Sequence, residues 1–170
     1  MQFLSTVLLG VAALGATVTA IPAELKARIP AGVSYKAIDP SEIPESVKLS
    51  ATLSNSTQLD VRGLEKRADH GVFLCTDANW GGHCVHITSP AGVCVPLASD
   101  LNDQVSAVGP DAGGYCRFYF NAGCTDDNGC LHFDLTSPGI ADLNQQQYWV
   151  CGQPANNPND RVTSYQCWDQ

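Results

Sequence analysis

The chain has 170 residues, with 9 Lys and Arg against 17 Asp and Glu, a formal net charge of −8 at pH 7. A surface this acidic repels phosphate backbones and anionic headgroups, which argues against nucleic-acid binding and against a cationic membrane-lytic agent. Its length allows one modest domain plus accessory segments.

Residues 1–20 open with Met1-Gln2-Phe3-Leu4, continue through an apolar run and end in small residues at Ala20. This is the pattern of a secretory signal peptide, although a basic leader is missing. The run is too short for a membrane span. The expectation is a secreted, extracellular product with no membrane insertion.

Residues 21–67 differ in composition. They hold Lys26, Arg28, Lys36, Lys48, Arg62, Lys66 and Arg67, no Cys, and four prolines that forbid a long helix. The pair Lys66-Arg67 is what a kexin-like protease cuts, so the segment is expected to be a pro-segment; a polar linker with an incidental basic pair is the alternative. Asn55-Ser56-Thr57 is an N-glycosylation acceptor that would leave with it.

Residues 68–170 then form the mature part. It has no Lys or Glu, two Arg (Arg117, Arg161) and 11 Asp. All eight cysteines lie here: Cys75, Cys84, Cys94, Cys116, Cys124, Cys130, Cys151 and Cys167. An even count in an exported chain implies a disulfide framework, expected as four bridges, and one that helps a small core. Eight cysteines allow roughly a hundred pairings, and sequence does not choose among them.

Short β-rich runs alternate with turn residues at 71–75, 84–88, 93–97, 105–108, 116–120, 131–135, 148–151 and 162–168, which predicts an all-β sandwich or barrel. Asn102-Asp103-Gln104-Val105-Ser106-Ala107 and Asn159-Asp160-Arg161-Val162-Thr163-Ser164 repeat one pattern 57 positions apart. The repeat predicts two halves, 71–109 and 113–170, joined by the turn-rich stretch 109–114. Amides, carboxylates, hydroxyls and loop carbonyls are the ligands a calcium ion accepts. The same residues also build turns without any metal.

Upstream of the first loop, Trp80 and Gly82 follow Cys75 in a hairpin-like stretch. Hairpin and loop together resemble the βγ-crystallin superfamily, and the chain is similar in particular to small cysteine-rich secreted fungal βγ-crystallin-like proteins. The resemblance spans the mature part and implies two Greek-key motifs forming a disulfide-stapled β-sandwich. The family hairpin reads aromatic, four residues, aromatic, one residue, Gly. Here Cys75 replaces the leading aromatic of the first half. In the second, Tyr119 leads, Cys124 replaces the second aromatic and Asp126 the Gly. The second loop fits throughout, and the first ends in Ala107 where Ser is expected. The resemblance further implies two calcium positions. Each uses the carbonyl of the third loop residue (Gln104, Arg161), the hydroxyl of the fifth (Ser106, Thr163) and a hairpin carbonyl near Ala78 or Ala122. Asn102, Asp103, Asn159 and Asp160 shape the loops and supply negative potential.

Other patterns carry less. His83 and His86 sit three apart on a strand, hence on opposite faces, which speaks against zinc. An EF-hand over 124–135 would need Asp where Cys124 sits and Glu where Leu135 sits, so that motif fails, and Asn128-Gly129 reads as a hairpin turn. No nucleophile elbow, phosphate loop or metalloprotease helix occurs, and no pair of Asp sits in a recognisable catalytic context, so the chain reads as a non-enzyme. The expected function is calcium binding. The alternatives are a secreted effector, antimicrobial toxin or protease inhibitor acting through a loop at 148–157, and a structural cell-wall or spore-coat protein. The partners in those cases are an extracellular protein or a cell-wall target.

Overall fold

The structure, a computed structural model, describes residues 29–48, 69–126, 131–146, 149–150, 153–154 and 157–169. The signal-like residues 1–20, Asn55, Lys66-Arg67, Asn128-Gly129, Cys130, Tyr148 and Cys151 lie outside the described residues.

Two antiparallel four-stranded sheets pack face to face. The first holds β1 (Ser34–Ile38), β2 (Asp69–Asp77), β3 (Gly81–Pro90) and β5 (Ala107–Pro110) in the order β1-β3-β2-β5. The second holds β4 (Val95–Pro96), β6 (Gly114–Tyr119), β7 (His132–Thr136) and β10 (Ser164–Asp169) in the order β4-β10-β6-β7. A small ribbon, β8 (Trp149–Val150) with β9 (Gln153–Pro154), stands apart.

The order shows two interlocked Greek keys. The first half contributes β2, β3 and β5 to one sheet but sends β4 across to pair with β10. The second half contributes β6, β7 and β10 to the other sheet, while Ile140 returns to bridge Val108 on β5. The eight strand-like runs of the sequence all fall in or beside these elements.

The core lies between the sheets. Val72 and Leu74 on β2, Val85 and Ile87 on β3, and Val108 face Phe118, Phe133 and Tyr165 from the second sheet. Phe118 stacks on Phe133 with ring centroids 5.0 Å apart. Burial pushes the Tyr165 hydroxyl well above its ordinary pKa, so it stays neutral.

Three disulfides close among the described residues: Cys75–Cys84 across the β2–β3 hairpin, Cys116–Cys167 across β6 and β10, and Cys94–Cys124 between the halves. The last two close separations of 51 and 30 residues, and longer closed loops restrict the unfolded chain more.

The N-terminal segment is where the sequence reading found no structure, and part of it is folded. Asp39 caps a 3-10 turn (Pro40–Glu42) by accepting from Ser41 N at 2.9 Å, with Glu42 completing the capping box. The short helix α1 (Glu45–Lys48) follows Pro44. Before them, β1 pairs with β3 over five residues, Ser34 opposite Thr88 through Ile38 opposite Cys84.

The reason is visible on β2. Val72-Phe73-Leu74-Cys75 does not alternate. Val72 and Leu74 point into the sandwich, so Phe73 and Cys75 must point out. Outside they join Trp80, Cys84 and Ala107 in a second apolar cluster, and Ile43 and Val47 of the N-terminal segment complete it at 2% and 1% exposure. Burying these two side chains contributes roughly 1.5–3 kcal/mol each.

Candidate functional site: the exchanged loops

Residues 102–107 and 159–164 meet at one end of the sandwich, and they meet reciprocally. Asp103 N donates to Val162 O at 3.1 Å, and Asp160 N donates to Val105 O at 3.1 Å. Thr163 Oγ1 donates to Asp103 Oδ1 at 3.1 Å, while Ser106 Oγ lies 3.4 Å from Asp160 Oδ1. Each loop therefore presents its Asp to the hydroxyl of the other.

The local backbone explains why Asp occupies the second loop position. Asp103 and Asp160 have φ of 55° and 54°. That left-handed conformation penalises most side chains, and Asp and Asn adopt it more readily than others. The preceding amides hold the carboxylates in place: Asn102 Nδ2 donates to Asp103 Oδ2 at 3.0 Å and Asn159 Nδ2 to Asp160 Oδ2 at 2.7 Å.

The hairpins match in the same register. Ser106 N donates to Cys75 O and Thr163 N to Tyr119 O, both at 2.9 Å. This makes Cys75 and Tyr119 equivalent, as the family pattern implies. Asn79 and Trp80 (φ 57° and 61°) then correspond to Gly123 and Cys124 (φ 73° and 52°), so both bends share one backbone shape despite different side chains.

The halves diverge at the sixth loop position. Ser164 Oγ donates to Asn121 O at 2.7 Å and accepts from Cys124 N at 3.0 Å, clasping the second hairpin to its loop. Ala107 offers no such group. The first hairpin is held instead by Asn79 N donating to Ala141 O at 2.6 Å.

The hairpin carbonyl that reaches the second loop is Phe120 O, which lies 3.2 Å from Thr163 Oγ1 and two residues before Ala122. The Arg161 guanidinium sits 4.6 Å from the Phe120 ring centroid, a cation–π contact that holds its charge on the ring. Around the first loop an open cup is lined by Thr76, Asp77, His83, Asp100, Asp103, Gln104 and Asp160. Asp77 and Asp100 were not singled out by sequence, since neither belongs to the repeat; only the folded hairpin brings them here.

The remaining patterns fall into structural roles. His83 Nε2 lies 3.2 Å from Asp100 Oδ2 and His86 Nε2 lies 3.1 Å from Asp111 Oδ1, on different faces of β3, while Cys84 is tied to Cys75. No group of three or more His, Cys, Asp or Glu stands at metal-holding distance among the described residues. None of the described helices is long and apolar enough to cross a membrane. Of the loop at 148–157, only 149–150, 153–154 and Asn157 are described.

The strand order and the exchanged loops together define a double Greek-key domain of the βγ-crystallin type. No family model matches the sequence, and no curated protein matches it. Among solved structures, the chain is similar to a domain from work on the evolution of the eye-lens βγ-crystallin fold, at 20% identity and TM-score 0.44, covering 64% of this chain and 95% of that one. It is similar also to the βγ-crystallin domain of Abundant Perithecial Protein from Neurospora crassa in its Ca2+-bound form, at 15% identity and TM-score 0.41 over 64% and 97% of the two chains. A βγ-crystallin from an archaeon matches at 18% identity and TM-score 0.39 over 57% and 95%. Those scores are low, and the fold stands on the strand order itself.

Proposed function

We propose that the protein is an exported calcium-binding domain whose two loops each take a cation. The observation that carries this reading is the reciprocal pairing of each loop's Asp with the other loop's hydroxyl.

The oxygens present suit the ion. Calcium takes oxygen ligands at roughly 2.3–2.6 Å, and two such ligands at right angles stand about 3.4 Å apart. The Ser106–Asp160 separation has that value and is too long for a good hydroxyl hydrogen bond. Around the second loop, Asp103 Oδ1, Thr163 Oγ1 and Phe120 O lie in succession at 3.1 and 3.2 Å. Asn159 Oδ1 is buried without a hydrogen-bond partner, leaving one more acceptor beside this loop. Ser106, Asp160 and the Gln104 carbonyl would hold one ion; Thr163, Asp103 and the carbonyls of Arg161 and Phe120 would hold the other. A bound cation would screen the gathered carboxylates and brace the two halves against each other.

Extracellular calcium modules reach dissociation constants of roughly 0.1–1 mM. At a hundredfold excess over such a constant, one site stabilises the fold by about 2.7 kcal/mol. For a domain this size the melting temperature should rise by roughly 10 °C or more when calcium replaces EDTA, with no comparable rise in magnesium. Ser106→Ala together with Thr163→Ala should abolish the rise. A calcium response unchanged in that double variant would remove the site assignment, and the absence of any response in the wild type would remove the function.

A further inference from the structure

The outer face of the first sheet is completed by a part of the chain expected to be cut from it. Residues 30–48 reach the body of the domain through three kinds of contact. β1 adds a five-residue ladder to the free edge of β3. Tyr35 Oη donates to Pro96 O at 3.1 Å, and Gly139 N donates to Val47 O at 2.9 Å. Ile43 and Val47 close the apolar cluster of Phe73, Cys75, Trp80, Cys84 and Ala107, with Ile38 packed beside them.

The acceptor surface is shaped for this segment. Gly109 leaves space that a side chain would take from Val47, the Trp80 ring and Gly139. The chain between residues 48 and 69 carries Lys66-Arg67.

We infer that residues 30–48 are a built-in strand donor that remains docked after cleavage at Lys66-Arg67, so that the processed protein is a non-covalent complex of two chains. Main-chain pairing on the β3 edge supplies affinity, as in other strand additions, and the Ile43 and Val47 pockets supply specificity. The docked segment also hides an apolar face and an open sheet edge, both of which promote association when bare.

The test uses the full exported chain, cut at Lys66-Arg67 by a kexin-type protease, or at a specific protease site inserted within residues 55–66 if that enzyme does not cut. Size-exclusion chromatography under native conditions, with mass spectrometry of the eluted peak, should find the segment and the body together at the mass of one copy. Val47→Asp should lower the retained fraction at least tenfold. If that variant fails to fold, exchange serves instead: a labelled peptide of residues 30–48 should displace the resident segment from cut wild-type protein and saturate. Loss of the wild-type segment to a separate fraction would overturn the inference, whatever the melting temperature of the body. So would a dimer before cleavage, since that would place the donor strand on a second copy.

Discussion

The two sheets differ in their outer faces although the two halves that build them share one repeated pattern. On the second sheet the outward side chains of β6, β7 and β10 are mostly polar and pair with one another, the exception being Trp168, which lies against Tyr115 with ring centroids 5.8 Å apart. Arg117 grips Asp134 through Nε and Nη2 at 2.7 and 2.8 Å, and Tyr119 donates to Gln166 at 2.8 Å. That is the ordinary alternation of an antiparallel sheet with one wet face. On the first sheet the outward side chains include Phe73, Cys75, Cys84 and Ala107, with His86 stacked on Phe73, and chain from outside the repeat closes over the apolar ones. A sheet whose strands are apolar on both faces needs a cover, and here the same polypeptide carries it.

The sharpest way to break this comparison is to change one charge on each face. Val47→Asp in the uncut chain buries an unpaired carboxylate in the apolar cluster and should destabilise by about 3–5 kcal/mol. Arg117→Ala on the other face should cost under about 1 kcal/mol, as partly exposed ion pairs do. Urea unfolding of the two variants would decide it, and equal costs would show that the N-terminal cover is not integral to the fold.

A second, smaller effect is expected where the halves touch. A Cβ on Gly139 would meet Gly109 Cα and Val108 O at 2.6 Å and the Trp80 ring at 2.7 Å. Gly139→Ala should therefore cost about 1–3 kcal/mol, the range for overpacking, and should lower the melting temperature without changing the calcium response.

The smallest effect belongs to the wet face. Burial alone would raise the Asp134 pKa, but hydrogen bonds from Arg117 and Tyr115 and the charge of Arg117 outweigh it and hold the carboxyl below its ordinary value. A depressed folded-state pKa stabilises above the unfolded value near 4 and loses that contribution as the pH falls through the folded one. Melting temperatures from pH 5 down to pH 3 should thus fall slightly more in the wild type than in Arg117→Ala.

Much of the architecture was legible in the chain because repetition and turn chemistry are local. The two Asn-Asp loops marked out the halves, and the aligned hairpins made Cys75 the counterpart of Tyr119. Disulfide partners were not legible, since Cys94 and Cys124 meet only through the interlock of the keys. The cup residues Asp77 and Asp100 were missed for the same reason. The N-terminal cover was missed through composition: prolines, lysines and a dibasic end made residues 21–67 read as a pro-segment with no packed role. Its signal lay elsewhere, in the unbroken run Val72-Phe73-Leu74-Cys75, which reads as a strand buried on both sides.

The exchange of carboxylate and hydroxyl between the loops has a consequence for ancestry. Neither half owns a finished loop, because Asp160 answers Ser106 and Asp103 answers Thr163 across the pseudo-twofold axis. A forebear encoding a single Greek key would have needed a second identical subunit to assemble the same end, through a self-complementary contact in which each copy gave what it received. Fusion of two such copies turns that intermolecular bargain into an internal one, and leaves each half free to diverge everywhere except where it serves the other.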